Sequence, residues 1–178
     1  MEKTVEIKKC EQSDLNRTAH FYGEVMQHLV QNINYPKWTP GVYPCRESIA
    51  QVIEAGEQYI YLCDNEVLGA FVLNENPQGS YFKGNWSKSL SDGDYLVIHT
   101  LATHPTAYKT GIGKKMVEFC INHAKQLGYK AIRLDVVPTN IPAKLLYERL
   151  GFSFAGEFDL DRGFENIPTF LLYELNFN

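Results

Sequence analysis

The chain has 178 residues, the usual size of one domain and enough for one substantial core. Hydrophobic residues make up 44% and charged residues 21%, a balance that excludes intrinsic disorder. The formal net charge is -4 and no basic stripe is visible, which argues against a nucleic-acid partner and faintly favours a cationic substrate. No apolar run approaches the roughly 18 residues of a membrane span, and Met1-Glu2-Lys3-Thr4 lacks the apolar stretch of a signal peptide. The expected compartment is the cytoplasm, with no membrane partner. Cys10, Cys45, Cys63 and Cys120 are scattered, without C-x-x-C or zinc-ligand spacing. They are expected to be reduced, mostly buried thiols, and no metal is implied.

Residues 4–9 alternate Val5 and Ile7 with polar neighbours, which predicts a first strand. Ser13 is then the expected cap of a helix whose Leu15, Ala19, Tyr22, Met26, Leu29 and Ile33 share one face. A Pro- and aromatic-rich loop over 35–44 holds Trp38 and Tyr43. Residues 46–55 read as a second helix stopped by Gly56. Residues 58–63 and 67–74 are apolar runs around Asp64-Asn65-Glu66, a hairpin signal. The polar stretch 75–93 holds Tyr81, Phe82 and Trp86 and is a candidate substrate wall. Residues 94–103 are almost continuously apolar, as in a central strand covered on both faces. A helix follows, from Ile112 to the stop at Gly128, then a strand over 130–137. A helix over 140–150 ends at Gly151, and two last strands cover 152–158 and 169–177. The order β-α-α-β-β-β-α-β-α-β-β predicts a single-domain α/β or α+β fold over residues 1–178, without repeat or linker.

The informative stretch is 95–152. Thr110-Gly111-Ile112-Gly113-Lys114-Lys115 joins a buried strand to an amphipathic helix. Two glycines let the backbone bend closely around a ligand. The N–H groups that open the helix have no partner within it, and with the helix dipole they favour an anion such as a pyrophosphate. Two other phosphate loops fail on spacing. Tyr108 stands where a Walker A loop needs its first Gly, and Met116 where a dinucleotide fingerprint needs its third. By itself a G-x-G is equally well read as a helix-start turn.

The surrounding residues carry more. Ile98-His99-Thr100-Leu101-Ala102-Thr103-His104-Pro105, followed by Gly111-Ile112-Gly113, resembles the acetyl-CoA-binding motif of the GCN5-related N-acetyltransferase (GNAT) family. Asn140-Ile141-Pro142-Ala143-Lys144-Leu145-Leu146-Tyr147-Glu148-Arg149-Leu150-Gly151-Phe152 is similar to that family's second motif, in the same order and at a similar separation. The family usually has Gln or Arg three residues before the first Gly. Here Tyr108 stands there, with Lys109 beside it to supply charge.

The resemblance implies a mixed, mostly antiparallel sheet of about six to seven strands, with a splayed central parallel pair and helices on both faces. It implies acetyl-CoA as cosubstrate, with Lys109, Thr110, Gly111, Ile112, Gly113 and Lys114 around the pyrophosphate. Leu101, Ala102 and Thr103 would pair with the pantetheine arm, Asn140 would lie beside it, and Tyr147 would face the sulfur. The implied activity is transfer of an acetyl group to a primary amine of a small molecule or peptide. A non-catalytic acyl-CoA-binding or sensing module on the same fold is the rival, since fold does not fix function. Tyr147 favours the enzyme.

Each candidate also has a structural reading. Asn140 suits an N-cap, and Tyr147 a core aromatic. His99, inside the central strand, is either a neutral, hydrogen-bonded core histidine or the base that deprotonates the amine. His104 is expected to shape its loop, and His123 to lie on the inner face or the rim of its helix. Lys114 and Lys115 suit a solvated face as well as a phosphate. Trp38, Tyr43, Trp86 and Tyr81 either wall an amine pocket or simply pack. Asp161 and Glu165 suit a solvated turn better than a substrate amine. A homodimer is the default assembly, because dimers are the commonest closed oligomer.

Overall fold

The computed structural model describes residues 3–178. Seven strands form one sheet in the order β1-β2-β3-β4-β5-β7-β6. The strands are β1 (Val5–Lys9), β2 (Gln58–Cys63), β3 (Glu66–Asn74), β4 (Tyr95–Thr103), β5 (Ala131–Val136), β6 (Ser153–Phe158) and β7 (Phe170–Asn176). Four helices complete the order expected from the sequence: α1 (Leu15–Gln31), α2 (Arg46–Glu54), α3 (Ile112–Gln126) and α4 (Ile141–Arg149). The pairs β1–β2, β2–β3, β5–β7 and β6–β7 are antiparallel, and β4–β5 is parallel.

The described residues divide into two compact units. The first holds the chain up to Asn34, Trp38–Leu73 and His99–Phe119. Its core is built from Phe21, Tyr22, Val25 and Leu29 of α1, Ile49 and Ile53 of α2, and Ile60, Leu62 and Ala70 of the β2–β3 hairpin. The helical period of α1 and the strand period of the hairpin bring these apolar residues to one side. Asp64 and Asn65 have φ of 49° and 68°, the left-handed pair that matches the twist of a two-residue hairpin turn. Gly69 lets α3 come close: a Cβ there would stand 2.7 Å from the Met116 sulfur and 3.1 Å from Ile112 Cγ2.

Ser13 is not the cap expected from the sequence. A 3-10 turn over Gln12–Asp14 precedes α1, and the carboxylate of Asp14 accepts the Glu11 N–H at 2.8 Å. Asp14 is buried at 2% exposure, with Lys8 at 2.9 Å and Arg17 against its other oxygen. Burial pulls this carboxyl upward. The Glu11 N–H, Lys8 and Arg17 outweigh it and hold the group below its ordinary range.

The second unit holds Tyr35–Lys37, Asn74–Ile98 and Cys120–Asn178. Its core gathers Tyr81, Tyr95, Val97, Ala131, Ala155, Leu160, Phe170 and Leu172. Pairing fixes β5 between β4 and β7: Leu96 faces Ile132, and Ile132 faces Leu175. The β4–β5 ladder runs only from Tyr95↔Ala131 to Val97↔Arg133, although β4 itself continues to Thr103.

Candidate active site

The loop between β4 and α3 is organised by local bonds. A 3-10 turn, Pro105–Ala107, follows His104, whose Nδ1 accepts the Thr106 N–H at 3.3 Å. Thr110 donates its hydroxyl to the Ala107 carbonyl at 2.6 Å. Lys109 and Gly111 then take φ of 62° and 86°, and this double left-handed bend turns the chain into α3. The first bond of α3 runs from the Lys115 N–H to the Gly111 carbonyl at 3.0 Å. The N–H groups of Gly111 to Lys114 therefore have no acceptor within the helix. A Cβ on exposed Gly111 would meet nothing within 4 Å, so the face of the bend is open. Open donors at a helix start form an anion cradle. Lys109 is exposed beside it. Lys114 is exposed too, 3.7 Å from Glu118 one turn on. Tyr108 turns its ring edge-on to His28, with centroids 5.4 Å apart.

One residue of β4 departs from strand geometry. Thr100 has a φ of 52°, a left-handed conformation that disfavours any β-branched residue. Such a residue carries about 1–3 kcal/mol of strain and persists only where its surroundings over-determine it. Two tyrosines do so here. Tyr22 of α1 donates its hydroxyl to the Thr100 carbonyl at 2.8 Å, and the Tyr43 hydroxyl meets Thr100 Oγ1. Burial pushes the Tyr22 phenol far up, so it stays a neutral donor. Gln58, itself buried, donates to the Tyr22 oxygen at 3.5 Å. Tyr95–Ile98 are buried, whereas His99, Thr100, Leu101 and Thr103 are half-exposed and Ala102 is buried again. The strand thus becomes accessible where the bend occurs.

In the second unit, Asn140 caps α4, its Oδ1 accepting the Ala143 N–H at 3.4 Å. Pro142 in the first turn needs no donor. Tyr147 follows two turns later, on nearly the same face. Its ring is 6% exposed and packs edge-to-face on Phe152 at 5.4 Å. No hydrogen bond to its hydroxyl is found among the described residues. Burial pushes its pKa far up, and the neighbouring Cys120 and Asp135 add to the shift. The group is a neutral donor with a spare O–H.

The aromatic candidates fall on different units. Trp38 is half-buried against Tyr22, with centroids 6.0 Å apart, and Tyr43 is held at Thr100. Trp86 donates its indole N–H to the Tyr81 carbonyl at 2.6 Å, and the Arg133 guanidinium lies 4.1 Å from its ring centroid. Asp161 pairs with Lys83 at 2.7 Å, and Glu165 is exposed. Arg162 grips both oxygens of Asp135, at 2.9 and 2.7 Å, and the Tyr81 hydroxyl donates to the same carboxylate at 2.7 Å. The sequence reading missed this network. Asp135, in a strand that is apolar but for it and Arg133, was the available signal, because a charge withdrawn from water requires partners. It also missed Thr100, for which no sequence signal exists, since threonine is an ordinary strand residue.

Comparison with known proteins agrees with this architecture. The Acetyltransferase (GNAT) family matches residues 24–152. A GNAT-family acetyltransferase from Streptococcus agalactiae 2603 superposes with a TM-score of 0.78 at 16% identity, over 98% of this chain and 96% of that one. The ribosomal-protein-S18-alanine N-acetyltransferase of Escherichia coli gives 0.67 at 16% identity, over 97% of this chain and 94% of its own. The spermine/spermidine N(1)-acetyltransferase of Bacillus subtilis (strain 168) is 44% identical over 52 residues, which are 29% of this chain and 34% of that protein. The chain thus matches about a third of that curated relative's length. Among the described residues no helix is long and apolar enough to cross a membrane, and no group of three or more His, Cys, Asp or Glu is placed to hold a metal. The family match spans well over half of the sequence, and the chain belongs to the GNAT acetyltransferase family.

Proposed function

We propose that residues 1–178 act as one N-acetyltransferase domain that passes the acetyl group of acetyl-CoA directly to a primary amine. The observation that carries this reading is the open bend at Lys109 and Gly111, with the N–H groups of Gly111 to Lys114 lacking acceptors within α3. It suits the pyrophosphate of CoA. Leu101, Ala102 and Thr103 offer the strand for the pantetheine arm, and the resemblance to the family's second motif supports a role for Asn140 in holding that arm.

The amine nitrogen forms its bond to the thioester carbonyl carbon. The N–H of Leu101 or Ala102 meets the oxygen that becomes negative. As the C–S bond breaks, its electron pair stays on sulfur. The hydroxyl of Tyr147 donates a hydrogen bond to that sulfur. With its pKa pushed far up, Tyr147 keeps its own proton, since a phenol already near 10 gives it to a thiolate near 8.5 only uphill. The amine's surplus proton leaves through His99, half-exposed on β4, and finally neutralises the sulfur. A lysine-like amine near pKa 10.4 needs such a base more than an α-amine near 7.8 does, roughly 4.6 against 1 kcal/mol at neutral pH.

The acceptor reading is a small cationic amine or a peptide amine, and the net charge of -4 supports a cation. Spermine and spermidine belong first in the test panel, because the Bacillus relative shares 44% identity over its matched stretch. The test measures thiol release from acetyl-CoA with a panel of polyamines, amino acids and peptides, beside calorimetry of CoA binding. Release with one amine class establishes the activity. Binding without release from any amine would return the chain to the acyl-CoA-sensing alternative.

A further inference from the structure

We infer that Tyr22 and Tyr43 are positioning residues for acetyl transfer, holding Thr100 in its left-handed turn so that the following Leu101 N–H is aimed at the reacting oxygen. The inference rests on the proposed transfer reaction and on the strand after Thr100 as the source of the oxyanion donor.

Three observations converge. Thr100 is β-branched, yet its φ is 52° within a strand whose flanking residues are extended. The two groups that hold it act on different atoms: Tyr22 on the carbonyl, at 2.8 Å, and Tyr43 on Oγ1. They also arrive from different elements. Tyr22 is fixed in α1 at 2% exposure, with Gln58 bonded to its oxygen. Tyr43 belongs to the loop before α2, where its N–H donates to the Thr39 carbonyl at 3.0 Å. A carbonyl gripped on one side fixes the plane of its peptide, and that peptide carries the Leu101 N–H at its other end. The tyrosines therefore set the direction of the donor without touching the substrate. Transition-state hydrogen bonds depend on such aim, and small misplacements cost rate rather than binding.

The test uses Tyr22→Phe, Tyr43→Phe and Thr100→Gly, singly and combined, with the best amine from the panel. Each Phe variant is expected to lose about 10-fold in kcat, with KM for amine and acetyl-CoA within about 2-fold. Glycine adopts the left-handed turn without a Cβ penalty. Thr100→Gly should therefore recover most of the loss when added to either Phe variant. The Leu101 amide resonance should shift in the Phe variants and return in the combined ones. Unchanged kcat in both Phe variants overturns the proposal, and so does an equal loss with and without Thr100→Gly. A raised amine KM at unchanged kcat in Tyr43→Phe also overturns it, assigning Tyr43 to the acceptor pocket. Should Tyr22→Phe fail to fold, Tyr43, at 39% exposure, carries the test alone. If wild type transfers to no amine, the reaction reading fails, and the Leu101 resonance still decides whether the tyrosines hold the turn.

Discussion

Gly69 of β3 and Met116 of α3 lie so close that a methyl group on the glycine would stand 2.7 Å from the methionine sulfur. Met116 is fully buried, so its flexible end has little room to retreat. Gly69→Ala is expected to destabilise the protein by about 1–3 kcal/mol, the usual cost of overpacking. It should also weaken CoA binding, because Ile112 opens α3 next to the cradle and lies in the same contact. Denaturant melts and calorimetry check both effects. An unchanged midpoint would show that the methionine repacks freely.

Gly111 makes the opposite case. Open space surrounds its missing Cβ, but its φ of 86° strains any other residue. Gly111→Val should lower stability by about 1–3 kcal/mol, the strain of a β-branched residue in the left-handed region. It should also weaken CoA binding, by about 10-fold or more in Kd, because the side chain enters the space in front of the cradle N–H groups. A melting curve and a CoA titration on the same sample separate these effects. Undiminished affinity would remove the cradle from the binding site.

Tyr147→Phe keeps the ring and its packing on Phe152, and strands no protein hydrogen-bond partner. The melting temperature should hardly move. The catalytic constant should fall about 10–100-fold, with little change in KM, since negative charge reaches the sulfur only as the thioester breaks. The pKa is pushed far above its ordinary value, so the hydroxyl stays protonated at working pH. The ratio of wild-type to mutant kcat should therefore be flat from about pH 7 to 9. Full turnover in the Phe variant would refute the role, and poorer CoA binding alone would reassign Tyr147 to cofactor packing.

Asp14 provides a stability prediction with a definite pH sign. Its folded pKa is depressed, because the Glu11 N–H, Lys8 and Arg17 outweigh its burial. The stabilisation is fully present above the unfolded value near 3.9 and is lost as pH falls through the folded value. Asp14→Ala should cost about 2 kcal/mol at pH 7, mostly as the lost charge-assisted bonds to the Glu11 N–H, Lys8 and Arg17. The gap to wild type should narrow as acid is added below about pH 4. Urea midpoints across pH 2–7 provide the measurement, and a gap independent of pH would contradict the assignment.

Much of this protein is written in local sequence. Strand and helix order, the hairpin at Asp64 and Asn65, the helix stop at Gly128 and the cap at Asn140 all follow from periodicity, turn residues and capping, which act over a few residues. The glycine-containing helix start was legible for the same reason. Ser13 does not cap α1 because it lies inside a 3-10 turn, closed where the Asp14 carboxylate, held by Lys8 and Arg17, accepts the Glu11 N–H. The left-handed Thr100 was invisible, since its conformation is imposed by Tyr22 and Tyr43, respectively 78 and 57 residues away in the chain. The Arg162–Asp135 pair spans 27 residues and depended likewise on packing. Local patterns determined which elements form. Only the tertiary structure decided where a strained peptide or a buried charge is held, because the forces that hold it come from elements distant in sequence.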